Sequence, residues 1–221
     1  MIINYFYTDA LPRVLHQELE PYKYDTDEGY HKCFAHKWSV MNRFKLKCPV
    51  DLDFTVSPGP KGEGDYLITT NTSKTEHMLN EILNTSKFSS VYKNKLTFQL
   101  HLGMCFYSKE KCFIEQCHPE TSLPGLKMIK GKFDISQWCR PFNIAFELQD
   151  THQRVLITRN TVICEVVFYA DKINEPIRLK ENINPSPEFL RFATSNAKVT
   201  DYVTHAKPLL EKGKALLRRF F

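Results

Sequence analysis

No run in this sequence approaches the ~18 apolar residues that a membrane-crossing helix needs, so a helical span is not expected. The opening Met1-Ile-Ile-Asn-Tyr-Phe-Tyr-Thr-Asp9 has neither a basic start nor a long apolar stretch, so a secretory leader is not expected either. Concentrated positive charge is also missing. The formal charge is +5, but residues 196–221 hold six Lys/Arg against two Asp/Glu, which leaves the first 195 residues at +1. That falls short of the basic face of a dedicated nucleic-acid binder, so nucleic acid is an open but unfavoured partner. There is no internal repeat, and the loop Gly59 to Gly64 holds Lys61 without the Gly-x-x-x-x-Gly-Lys-Ser/Thr pattern that cradles phosphates. The seven cysteines (33, 48, 105, 112, 117, 139 and 164) are odd in number, and no export signal accompanies them. Free thiols in a reducing compartment are expected rather than a disulfide framework. The cytoplasm of a bacterium or of an infected host cell would suit, with a place in a virion also open.

What is present is a globular composition: 42% hydrophobic, with 16 Phe and 10 Tyr in 221 residues. This length fits one large domain, or one domain with an added terminal element. Ile2 to Tyr7 is β-prone. From Phe44 to Val56 the apolar residues Phe44, Leu46, Val50, Leu52, Phe54 and Val56 take even positions, which predicts a half-buried strand broken near Pro49. Residues 72–87 read as a helical excursion with Met78, Leu79, Ile82 and Leu83 on one stripe. The clearest alternation follows. Leu96, Phe98, Leu100, Leu102, Met104 and Phe106 face one way, and Thr97, Gln99, His101, Gly103, Cys105 and Tyr107 face the other. Lys109-Glu110-Lys111 then predicts a hairpin into Cys112 to Cys117. Further strands are expected at Leu126 to Phe133, Asn143 to Leu148, Arg154 to Ile157 and Val162 to Tyr169. The fold class is therefore mainly β: an antiparallel sandwich, barrel or β-clip over residues 1–171.

After Asp171 the three prolines of Asn174 to Pro187 suggest a strap. Ser186 then predicts a helix N-cap with Pro187 at N1. Residues 172–221 thus form a strap and a C-terminal helical segment packed on the core or on a partner. Lys212, Lys214, Arg218, Arg219, Phe220 and Phe221 combine basic charge with an apolar face, and so are candidates for contact with a protein partner or with a second copy of the chain.

Candidate chemistry is sparse. Gln99, His101, Cys105 and Tyr107 share the less apolar face of the long strand, the expected place for a pocket. His101 and Cys105 lie about 13 Å apart along a strand, too far for a thiolate–imidazole pair. Cys112 and Cys117 are five positions apart and face opposite sides, unlike the tight knuckles of zinc sites. A divalent metal site on His101, His118, Asp51 and Asp53 remains an open reading, since the two aspartates lie about 7 Å apart on one strand face. No cofactor is predicted. Trp38 and Trp138, with Arg140 and Phe142, either join the core, as large aromatics usually do, or form a recognition patch.

Arg154-Val-Leu-Ile-Thr-Arg-Asn-Thr-Val-Ile-Cys-Glu-Val-Val-Phe168 resembles the closing hairpin of β-clip proteins of the dUTPase kind, with Asn160 where that turn has glycine; the nucleotide-binding and catalytic motifs are missing. A wider similarity runs through Cys33, Trp38, Cys48-Pro49, Cys117-His118-Pro119, Pro124-Gly125, Trp138, Pro141-Phe142 and Val162 to Phe168. That order resembles an uncharacterised family of bacterial and bacteriophage proteins with no assigned activity. The resemblance implies a β-rich fold and a phage origin. Three functions stay open: a non-enzymatic interaction or structural protein, a β-barrel enzyme that uses a metal or acts on a nucleotide or small anion, and a single-stranded nucleic-acid binder.

Overall fold

The computed structural model describes residues 1–8, 16–17, 19–23, 33–60, 66–71, 97–121, 123–150, 153–172 and 175–196. The helical excursion expected over 72–87 and the segment from 197 onward lie outside the described residues. What is described is mainly β, in three sheets, none of which closes on itself among these residues.

The first sheet has the order β13(Arg178–Glu181), β1(Ile2–Tyr7), β6(Thr97–Tyr107), β10(Pro141–Leu148), β8(Leu126–Met128). Only the β1–β13 edge is parallel. A second sheet runs β2(Glu20–Pro21), β3(Arg43–Lys47), β12(Val162–Ala170), β7(Cys112–Cys117), β9(Gly131–Asp134). A third has β11(Gln153–Ile157), β4(Leu52–Pro58), β5(Tyr66–Thr70). Among the described residues there are also two helices, α1(Phe34–Val40) and α2(Pro187–Asn196).

The alternation in β6 decides which face is core. Phe98, Leu100, Leu102, Met104 and Phe106 are all buried. They meet rings from every sheet: Phe98 packs on Phe146 at 5.4 Å and edge-on to Phe54 at 5.6 Å, and Phe106 meets Phe142 at 5.8 Å and Phe168 at 5.5 Å. Phe54 belongs to the third sheet and Phe168 to the second, so the inner face of the first sheet packs against both. Burying such rings is the main favourable term in the fold.

Two corrections concern turns. Lys109-Glu110-Lys111 does not form a hairpin, because β6 pairs with β1 and β10 while β7 pairs with β12 and β9. The turn instead carries the chain from one sheet to the other. Likewise the strand expected from Leu126 to Phe133 crosses between sheets, β8 joining the first and β9 the second.

The break expected near Pro49 is present. Pro49 has no N–H to give to a ladder, and β3 stops before it while β4 starts after it. Opposite this gap, β11 and β12 are interrupted together, for they pair with β4 and β3 and not with one another. The chains meet across the gap through Cys48 N–H to Thr161 O at 2.8 Å and Asn160 N–H to Cys48 O at 2.9 Å. Asn160 turns there with φ 69°, the left-handed region that asparagine tolerates.

The strap contributes β13 to the edge of the first sheet, and α2 follows. Ser186 Oγ accepts the Phe189 N–H at 3.2 Å, with Pro187 at the first helical position. Phe189, Phe192 and Ala193 then cover Phe6, Cys105, Tyr107 and Cys139 on the outer face of the first sheet.

Candidate functional site

The face of β6 expected to hold a pocket is divided in two. Gly103 takes φ 65° and its carbonyl accepts the Thr8 N–H at 2.8 Å; the β6–β10 register also shifts across this region. Beyond Gly103 the outer face is sealed. Cys105 and Tyr107 are buried under α2, with the Tyr107 hydroxyl accepting Asn182 Nδ2–H at 3.1 Å. Burial pushes the Tyr107 hydroxyl and the Cys105 thiol up, and Cys139 adds to the shift at Cys105. Before Gly103, Gln99 and His101 are half-buried beside Ala145 and Asn143 of β10, with Thr97 opposite Glu147. The four expected pocket residues therefore form two separate environments.

The expected metal set is dispersed over the sheets. His101 is in the first sheet. His118 follows the end of β7 in the second sheet, its Nδ1 3.0 Å from the Pro119 carbonyl oxygen. Asp51 Oδ1 accepts the Arg159 N–H at 2.7 Å and so holds the turn that faces the β3–β4 break. Asp53 is clamped by Arg154, Nε and Nη2 each at 2.8 Å, and by Asn71 Nδ2 at 2.7 Å. Among the described residues no three His, Cys, Asp or Glu side chains group as a metal site.

The Asp53 clamp gives a pH expectation. Hydrogen bonds from Arg154 and then Asn71 hold its carboxyl at about 2, below the ordinary 3.8. A depressed carboxylate stabilises the fold at pH above its unfolded value, and that contribution disappears as pH falls through the folded value. Asp53→Asn should therefore flatten the acid limb of a urea-midpoint-against-pH curve between about 3.8 and about 2. Parallel limbs for the two proteins would mean that the clamp adds nothing.

All seven cysteines are free. Burial raises the thiols of Cys48 and Cys112 to about 12 and pushes Cys164 up as well. At Cys117 burial acts first and Glu115 adds to it. As nucleophilic sulfur is thiolate sulfur, these raised thiols are poor nucleophiles at neutral pH.

A polar group that escaped the sequence reading lies on the outer face of the second sheet. Glu165 is 1% exposed; its Oε2 accepts Arg43 Nη1–H at 2.8 Å and its Oε1 accepts the Glu120 N–H at 3.2 Å. The Tyr22 hydroxyl donates to Glu120 at 2.6 Å, which lifts its pKa to about 12. The available signal was Glu165 itself, a lone charge inside Val162 to Phe168.

The two tryptophans part company. Trp38 is not core: it is 51% exposed and tilts against Phe34, 72% exposed, one turn away on α1 at 6.5 Å. A seven-residue helix buries only Val40, which leaves its other face in solvent. Trp138 is half-buried between β9 and β10, edge-on to Phe133 at 5.8 Å, with the Arg140 guanidinium 5.0 Å over its ring. Phe142 points instead into the core against Phe106. Comparison of the chain with protein-family models, with curated proteins and with solved structures finds no match.

Proposed function

We propose that this chain is a non-enzymatic β-rich interaction protein that self-associates through α1. The observation that carries this reading is the Phe34–Trp38 ridge, two large aromatics left in solvent by a chain that buries most of its other described phenylalanines. Exposed Trp and Phe anchors are the side chains that most often dominate protein interfaces. A ridge of this kind can pack on its own copy about a two-fold axis. Two further features support a binding role: the Asp51 and Asp53 carboxylates are engaged in holding strands and turns, and five thiols are pushed away from the thiolate form.

In this reading the body is a two-layer sandwich, with the first sheet facing the second and third through the Phe106–Phe168 and Phe98–Phe54 contacts. The free cysteines suit a reducing compartment. Lys212, Lys214, Arg218, Arg219, Phe220 and Phe221 stand as a second contact set, to be tested by deleting 197–221.

Sedimentation of the full chain over a wide concentration range tests the α1 reading. A reversible dimer is expected, weakened at least tenfold, about 1.4 kcal/mol, by Trp38→Ala. A chain that stays monomeric throughout, or a dimer indifferent to both Phe34→Ala and Trp38→Ala, would overturn it.

A further inference from the structure

We infer that the corner between β9 and β10 binds an oxyanion, with the Arg140 guanidinium as its charge anchor and the Trp138 ring as its floor. Of the six arginines among the described residues, only Arg43 and Arg140 are half-buried, the other four being exposed. Arg43 has the Glu165 carboxylate. Arg140 is half-buried, lies 5.0 Å over Trp138, and has no hydrogen-bond acceptor or carboxylate partner among the described residues. Leaving a partly desolvated cation without a partner is costly, and burial accordingly works against its charge.

The nearest carboxylate in sequence is not available to Arg140. Asp134 Oδ1 already accepts the Ser136 N–H at 2.9 Å and the Ser136 Oγ–H at 2.6 Å, and its Oδ2 accepts Gln137 Nε2–H at 2.7 Å. This self-contained turn shapes the corner: the Trp138 N–H closes it onto the Asp134 carbonyl at 2.9 Å. A second donor of the corner is also unmatched, for Trp138 Nε1 is buried with no acceptor among the described residues. Among the described residues, neither the guanidinium nor this indole N–H has an acceptor.

That imbalance specifies the ligand chemistry. An oxyanion is acceptor-only, and a guanidinium is donor-only with a planar fork that meets carboxylate or phosphoryl oxygens two at a time. The Trp138 ring lies under the guanidinium at 5.0 Å, and lysine would bring a point charge without the planar fork. The backing is apolar, with Cys105 and Cys139 buried behind it and Phe133 at the edge of the indole; such a backing strengthens a charged hydrogen bond relative to water. Because Trp138 Nε1 has no contact with solvent, the anion docks on Arg140 first, and its arrival changes the surroundings of the indole. The site uses none of the residues of α1, so it stands or falls independently of self-association.

The chain has two tryptophans, so Trp38→Phe leaves Trp138 as the sole indole reporter. The full chain in that background is titrated with inorganic phosphate, with acetate and with chloride at constant ionic strength. A saturable change in Trp138 fluorescence with phosphate or acetate is expected, and chloride should give none. Phosphate alone would assign a phosphoryl group, acetate alone a carboxylate. Arg140→Gln and Arg140→Lys, checked for native circular dichroism, should each weaken the response at least tenfold. If neither variant folds, the melting midpoint of the unsubstituted chain decides, rising in the effective anion over chloride at equal ionic strength. Equal responses to all three anions, or a saturable response retained in folded Arg140→Gln, would overturn the assignment.

Discussion

Replacing Phe106 with alanine is expected to cost the fold about 3–5 kcal/mol, a large part of the ~5–15 kcal/mol that holds a typical domain together. Phe106 is 1% exposed and is the ring at which the layers meet: Tyr5 lies 6.2 Å away on β1, Phe142 5.8 Å on β10, and Phe168 5.5 Å across on β12 of the opposite sheet. Alanine would remove the ring and leave a cavity walled by strands of two sheets, which cannot close without moving one sheet against the other. Guanidinium unfolding should show a lower midpoint with an unchanged slope. Ile2→Ala, at a position 56% exposed on the neighbouring strand, serves as the control and should stay within about 0.5 kcal/mol of the parent. A loss under about 1 kcal/mol at Phe106 would mean that the layers do not depend on this contact.

The apolar face of β6 was legible because period-two alternation reports directly which side of a strand is wet. Phe98, Leu100, Leu102, Met104 and Phe106 are buried as the pattern requires. The helix start at Ser186-Pro187 was legible for a similarly local reason, since an N-cap is a hydrogen bond within four residues. Pairing was not legible. Nothing in Lys109-Glu110-Lys111 distinguishes a turn that returns a strand beside its predecessor from one that carries it to the facing sheet, and here it does the latter. The same ambiguity hides the joint interruption of β3–β4 and β11–β12, where two strand ends and a turn at Asn160 form one long, broken antiparallel pair.

Site residues were legible as chemistry but not as neighbours. Gln99, His101, Cys105 and Tyr107 do share one face of β6, yet α2 covers one end of it and not the other, a tertiary fact that strand periodicity does not contain. The grouping of Trp138 with Arg140 was readable because only Cys139 separates them and the corner is local. Trp38 defeated the expectation for large aromatics, since a short helix with one buried residue has no core side for it to join. The Asp51–Asp53 spacing suggested a shared ligand, whereas each carboxylate is satisfied by a different strand or turn.

The buried pair on the second sheet sets up the other large effect. Glu165→Ala should cost about 3–5 kcal/mol, because it strands a charged partner in a partly dry place rather than merely deleting an attraction. Three groups lose by it. Arg43 forfeits the carboxylate 2.8 Å from its Nη1, with its Nε already buried and without an acceptor among the described residues. The Glu120 N–H loses its acceptor, and the loop carrying His118 and Pro119 loses its tie to β12. Since the Arg43 side chain is 25% exposed, water can partly replace the carboxylate, which places the cost toward the lower end of that range. The same argument requires the double variant Arg43→Met/Glu165→Leu to be more stable than Glu165→Ala, because no charge is then left unpaired, with the loss of the Glu120 N–H acceptor remaining. A double-mutant cycle by denaturant unfolding separates this from simple packing damage, which would add rather than cancel. If Glu165→Ala alone costs under about 1 kcal/mol, the pair behaves as a solvated surface bridge and the covering loop is not closed over it.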